Sequence, residues 1–333
     1  MTATELRERA RPGAAPPRRR LGSVEILAAV LILVVIFRGY LVDALAAPRL
    51  QTWSTVFVSI MVQATPFLVF GVVLSAVIAV FVPPSFFARV LPSRPVLAVP
   101  VAATTGVVLP GCECGSVPVA GAMVRRGVTP AAALAFLLAA PAINPIVLTA
   151  TAVAFPNQPK MVLARGVASL LASVIMGWLW LRLGRADWIK MPRRPDFSGM
   201  GRWPAFWASC RHDVIHAGGF LVVGAGAAAT LNVTVPAKAL QSLAGNPALS
   251  VFGLALLAVI LSICSEADAF VAASLSQFSL TARLAFLVVG PMIDLKLFAM
   301  QAATFGRGFA LRFAPATFVL AIGVSVAVGA VLL

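Results

Sequence analysis

Leu109 to Pro118 reads LPGCECGSVP, and a second stretch, Ser262 to Phe270, reads SICSEADAF. The first sets two thiols, a carboxylate, two prolines and two glycines between strongly apolar segments. In lipid every backbone polar group has to be satisfied internally. A Pro/Gly break at membrane depth therefore persists only where it is buried in protein or lines a cavity. The two stretches read as one site built from two interrupted membrane segments, with the rest of the chain as its scaffold.

Composition supports a membrane setting. The chain has 333 residues, 60% hydrophobic and 11% charged, whereas a soluble domain carries about 25% charged residues. Many apolar runs approach the ~20 residues needed to cross a hydrocarbon core. The expected fold class is an all-α polytopic membrane protein. The net charge of +15 would point to nucleic acid in a soluble chain. Here the arginines collect in the N-terminal tail and loops, so membrane topology and anionic lipid are the better readings and no nucleic-acid partner is expected. Of four cysteines, three stand beside acidic residues inside predicted membrane segments, unlike a secreted disulfide framework. No lysine sits in a Gly-Lys-Ser/Thr P-loop, and neither His-Glu-x-x-His nor Gly-x-Ser-x-Gly occurs. These patterns give no reason to expect an ATPase, another enzyme or a cofactor.

Residues 1–23, rich in Arg, Pro and Ala, read as a disordered cytoplasmic tail. Residues 24–46 read as a retained transmembrane helix, because no small-residue cleavage pattern follows a short apolar core. A first repeat over 53–183 and a second over 212–333 flank a basic cytoplasmic loop at 184–211. Further spans are expected at 53–82, 130–155, 161–183, 212–235, 282–305 and 310–332. The stretches 95–126 and 247–277 hold the breaks and suit two half-helices each.

The repeat is visible at a shift of 150 positions, where LAFLLAAPAIN (Leu134–Asn144) lies over LAFLVVGPMID (Leu284–Asp294) with six of eleven residues identical. The same shift superposes Cys114 and Cys264. If both broken segments are re-entrant, most basic residues outside the membrane fall on one side, as the positive-inside rule requires. Each half then crosses three times, which forces opposite orientations. This is the inverted-repeat plan of many secondary transporters, with sites near the midplane on discontinuous helices.

Cys112 and Cys114 flank Glu113. Thiolates are soft ligands for Cu(I), Zn(II) and similar ions, although a buried Cys also simply packs well. Cys264, Glu266 and Asp268 form the second cluster. Its bland alternative is a capping box from Ser265 to Asp268, which leaves the aligned cysteine unexplained. Asn144 and Asp294 are equivalent in the repeat, each three residues after a proline, and either could line a site or tidy freed backbone. Lys296 lies near mid-span, where an unpaired charge costs roughly 2.5–3.5 kcal/mol. Asp294, Glu266 and Asp268 are the expected partners. His212 and His216, at i and i+4, read as interfacial residues at a helix start rather than a metal-entry site. The Gly-rich run 218–226 reads as close helix packing.

At PGCECGSVPVAGAMVRRGV, FLLAAPAINP, CSEADAFVAASL and FLVVGPMIDLK the chain resembles the predicted permeases of the YraQ/ArsP-like family. The likeness spans about residues 55–310. It implies an inner-membrane permease. Some members export trivalent organoarsenicals through cysteine thiols, and others belong to zinc-responsive systems with a companion membrane protein. Cys112 and Cys114 match the family's cysteine block, while Cys264, Glu266 and Asp268 match its second block. The expected site is thus Cys112, Glu113, Cys114, Asn144, Cys264, Glu266, Asp268, Asp294 and Lys296, with the three cysteines as metal ligands. The expected function is movement of a soft metal or metalloid across the bilayer. A membrane thiol-redox enzyme, or a metal-handling subunit of a larger complex, is the alternative.

Overall fold

The computed structural model describes residues 48–107, 113–192, 199–234 and 246–333. The tail, the span read at 24–46 and Cys112 lie outside the described residues. From Thr52 onward the chain forms one unit, and among the described residues regular structure is entirely helical.

The first half comprises α1 (Pro48–Val80), α2 (Pro84–Val90), α3 (Pro95–Thr105), α4 (Glu113–Arg125), α5 (Pro130–Ile143), α6 (Pro145–Ala154) and α7 (Pro159–Leu183). After a short 3-10 turn (Ala186–Trp188), the second half comprises α8 (Arg202–Thr234), α9 (Pro247–Leu261), α10 (Asp268–Ser274), α11 (Leu280–Met292), α12 (Leu295–Phe305) and α13 (Arg307–Leu332). Proline opens α2, α3, α5, α6, α7 and α9, a position where its missing N–H costs nothing and its fixed φ suits the first turn.

The halves match element for element: α1 with α8, α3 with α9, α4 with α10, α5 with α11, α6 with α12 and α7 with α13. Their packing is reciprocal too. Helix α3 lies on α5 as α9 lies on α11, α5 on α7 as α11 on α13, and α6 on α7 as α12 on α13. Across the halves, α4 packs on α12 and α10 on α6. Each broken segment is thus seated on the other half.

Contacts at the helix ends give the path. Val80, Arg125, Arg126 and Arg202 border one pocket, and the Lys190 N–H donates to the Phe305 carbonyl at 2.8 Å. At the opposite end the Arg283 guanidinium stands 6.0 Å from the Phe155 ring centre, and Gly329 packs against Thr281. Because α1 and α4 finish at the same end, α3 and α4 return to the face they entered from. In the second half the chain leaves α8 and re-enters α11 at the far end, so α9 and α10 do likewise. Three traversals remain in each half, running in opposite senses.

Among the described residues six segments are long and apolar enough to cross a membrane: α1, α5 with α6, α7, α8, α11 with α12, and α13. The chain is an all-α polytopic membrane protein. Helices α5 and α11 are buried on nearly every side, whereas α1, α8 and α13 turn Val62, Ile215, Val223 and Val319 outward, the solvation expected of lipid-facing helices.

The spans expected at 130–155 and 282–305 are present, each built from two helices, while the expectations for the start of 212–235 and for the Gly-rich run need correction. Pro141 and Pro145 bracket a stop at Asn144, and Pro291 precedes one at Ile293–Asp294. A residue before proline is driven out of the helical region, which fixes Asn144 as extended (ψ 154°). Helix α8 starts at Arg202, so His212 and His216 lie well inside it rather than at its start. In the Gly-rich run, close packing belongs to Gly224, where a Cβ would meet the Lys296 backbone, and not to Gly219 or Gly226, which face open space.

Candidate functional site

The broken ends converge on Lys296. Helix α12 carries it at 1% exposure, and Gly224 lets the α8 backbone approach its Cα. Its Nζ lies 2.7 Å from Glu113 Oε1 and 3.2 Å from Asp294 Oδ2, and donates to the Ser262 carbonyl at 2.9 Å. The ammonium thus makes one hydrogen bond, to the Ser262 carbonyl, and two close ion pairs, with Glu113 and Asp294. Of the expected partners Asp294 is one. Glu266 and Asp268 are not in contact with the ammonium, and Glu113, read from the sequence as a ligand between thiols, takes their place.

Each partner is held by a local backbone device. Glu113 opens α4 directly after the first break and is fully buried. Gly71 and Gly115 allow α1 to lie against that turn, where a Cβ on Gly71 would overlap the Gly115 backbone. Ser262 ends α9 in the left-handed region (φ 49°, ψ 39°), a conformation that costs a non-glycine residue about 1–2 kcal/mol. Its hydroxyl donates to the Val259 carbonyl at 2.9 Å and accepts the Leu295 N–H at 3.3 Å. The turn is thereby tied to the start of α12. Asp294 Oδ1 caps α12 by accepting the Leu297 N–H at 2.6 Å.

Asn144 does the equivalent work in the first half. Its Oδ1 accepts the Val147 N–H at 2.9 Å and its Nδ2 donates to the Ala140 carbonyl at 3.3 Å. The repeat equivalence of Asn144 and Asp294 is therefore physical: both cap the second piece of a broken helix.

A second ion pair escaped the sequence reading. Arg165 on α7, fully buried, donates from Nη2 to Asp268 Oδ2 at 2.9 Å and to the Ser265 carbonyl at 3.1 Å, and from Nη1 to Thr151 Oγ at 2.7 Å. It clamps the second break to the first half. The capping box from Ser265 to Asp268, the bland alternative for this cluster, does not form, since α10 has no side-chain cap and Asp268 serves the arginine instead. A signal was available, because an arginine within a span asks for a partner.

Cys114 and Cys264 are buried thiols outside any disulfide. Both lie within electrostatic reach of Lys296. Glu266, half-buried, interacts with Glu113, Arg165 and Lys296 through space. Glu113 Oε2, Asp268 Oδ1 and Ser265 Oγ are buried without hydrogen-bond partners among the described residues. The junction thus holds two thiols, four carboxylates and two cations. Among the described residues no three His, Cys, Asp or Glu side chains form a preassembled metal site. His212 and His216 stack with ring centres 6.0 Å apart, and His216 Nε2 lies 3.3 Å from the Ala303 carbonyl. With Arg125, Asp213 and Thr304 they border a separate small cleft.

The family described as "Predicted permease" (ArsP_1) matches residues 49–332. The chain is 36% identical over 263 residues to "UPF0718 protein YcgR" of Bacillus subtilis (strain 168), covering 77% of this chain and 90% of that one. It is 34% identical over 266 residues to the "Putative two-component membrane permease complex subunit" of Streptococcus mutans, covering 78% and 88%. No solved structure matches. The chain belongs to the predicted permease family.

Proposed function

We propose that the chain moves a thiophilic metal or metalloid species, of trivalent-arsenical or zinc-like character, through the junction of its two halves, and that it transports rather than catalyses. One observation carries this reading: Lys296 ties Glu113 of the first break to Asp294 and Ser262 of the second half, with two repeat-equivalent buried thiols in its field. Cys114 and Cys264, joined by Cys112, are the soft donors. Glu113 and Glu266 are hard donors available to an ion that wants more than three ligands. Thiol coordination releases protons, so loading and release depend on pH. An exchangeable shell suits transport better than a closed one.

The basic end, with Arg125, Arg126, Arg202 and the connection between α7 and α8, is cytoplasmic by the positive-inside rule. With the span read from the sequence at 24–46, which lies outside the described residues, the N-terminus is placed in the cytoplasm as well, in an inner-membrane protein with an external C-terminus. The opposed halves provide the two bodies that rock about a central site in alternating access. The ion pairs Glu113–Lys296 and Arg165–Asp268 both cross between halves, so they have to loosen when one half moves. The streptococcal relative is named as a complex subunit, and we extend that to a companion membrane protein for this chain.

The test is binding by purified protein in lipid nanodiscs, with arsenite, Zn2+ and Cd2+ offered separately and the bound element quantified. Wild type and Cys210→Ser should retain one of these ions, and Cys114→Ser or Cys264→Ser should lose it. Undiminished binding by both of the latter variants would remove the thiols from the site.

A further inference from the structure

A pocket of about 390 Å3 opens at the basic end of the bundle, where α1 and α4 finish and α8 begins. Arg125 and Arg126 come from the end of α4, Arg202 from the start of α8, and Ser209 lies one to two turns further along α8, with Val80 and Met200 completing the apolar side. None of the described residues lining it is acidic. The nearest carboxylate on these helices, Asp213, lines the neighbouring cleft, where its Oδ2 accepts the Ser75 hydroxyl at 3.2 Å. A topological role asks only that arginines be on the correct side of the membrane. It does not ask that three of them, from two separate elements, share one concave surface.

The aromatic surroundings fix the depth. Phe81, Trp203 and Phe206 cluster with ring centres 5.6–6.0 Å apart, and Trp203 and Trp207 are about two-thirds exposed (65% and 66%). Exposed tryptophans beside a basic rim are the signature of the headgroup level of a bilayer. The mouth of the pocket thus stands where phosphate groups are concentrated, and guanidinium groups recognise phosphate through paired, charge-assisted hydrogen bonds.

From this geometry we infer a binding site for a phosphate group between α4 and α8, filled by the headgroup of an anionic phospholipid or by a soluble phosphate. The occupant bridges two elements that both reach Lys296: α4 carries Glu113 at its other end, and α8 packs on Lys296 through Gly224. Bound phosphate therefore braces the re-entrant helix against α8.

The experiment measures thermal unfolding and binding of the full chain in detergent. The additions are phosphatidylglycerol, phosphatidylcholine or inorganic phosphate, at matched ionic strength. Phosphatidylglycerol should raise Tm by several degrees and phosphatidylcholine should not. Arg126→Gln and Arg202→Gln should each weaken the phosphatidylglycerol effect roughly fivefold in apparent affinity, with Tm unchanged when no lipid is added. Arg89→Gln, which removes an exposed arginine of α2 outside the pocket, should bind like wild type. A variant-sensitive shift with inorganic phosphate would support the same site with a soluble occupant. Equal lipid shifts in wild type and both pocket variants, or no shift with either anion, would overturn the proposal.

Discussion

The two halves share a backbone and differ in charge. Both interrupt the same helix three residues after a proline, and both cap the second piece with the side chain at the break, Asn144 in one and Asp294 in the other. At the shift of 150, however, Lys296 corresponds to Ile146, Glu113 to Ile263, Arg165 to Pro315 and Asp268 to Pro118. No charge of either ion pair has a charged repeat mate. Glu113 and Arg165 belong to the first half, Lys296 and Asp268 to the second, so each pair reaches across. The fold keeps its symmetry in the backbone and packing, while the chemistry has been divided between the halves. A substrate at the proposed junction site would meet different groups from each side.

Lys296→Met is the sharpest way to break that comparison, because it leaves Glu113 and Asp294 buried without their common cation. Removing one partner of a buried pair costs about 3–5 kcal/mol, so the variant should lose expression and unfold well below wild type. Adding Glu113→Gln should recover part of the loss. Unfolding curves for the single and double variants that are simply additive would remove the inter-half ion pair from the account. Arg165→Gln should follow closely, at about 3 kcal/mol, since Asp268 keeps one capable neighbour fewer and the second break loses its tie to α7. Asp268→Asn in the same chain should soften the effect. An Arg165→Gln protein as stable as wild type would show that the second break is held otherwise.

Smaller effects separate the equivalent caps. Asn144→Ala removes the cap and the bond to the Ala140 carbonyl but no charge, and should cost about 1 kcal/mol, read as a modest fall in Tm with binding of the thiophilic ion preserved. Asp294→Asn keeps the capping oxygen but gives up the charge beside Lys296, so it should disturb ion binding more than Asn144→Ala does. Equal effects of the two on binding would mean that the halves are chemically alike at this position.

Much of this architecture was legible in the sequence. Proline and glycine at membrane depth marked the first long break, acidic residues beside a cysteine marked the second, and the 150-residue shift gave the repeat. The insertion cost of Lys296 demanded a carboxylate. What the sequence concealed is pairing over distance. Asp294 is two residues from Lys296 and could be named. Glu113 lies in the other half, and nothing along the chain ranks it above Glu266 or Asp268. Arg165 was missed because it follows the start of α7 by barely two turns and its span reads as uninterrupted; only the folded path brings Asp268 to it. The stops at Asn144 and Asp294 were signalled by their prolines, yet the apolar residues on both sides made each stretch look continuous. The early start of α8 was hidden by Trp203, Trp207, His212 and Asp213, which lower the apolar signal over a segment that is nonetheless helical.

The central claim is that one substrate is held from both halves at once. Phenylarsine oxide tests it directly, because its trivalent arsenic bridges two nearby thiols. In a chain retaining Cys114 and Cys264 as its only cysteines, the account predicts uptake of one arsenic per protein with two sulfur neighbours by X-ray absorption. Reducing the chain to either single cysteine should abolish stable uptake. Uptake that persists with one cysteine, or that appears only when Cys112 and Cys114 are kept together without Cys264, would place the thiol chemistry within one half and contradict the shared site.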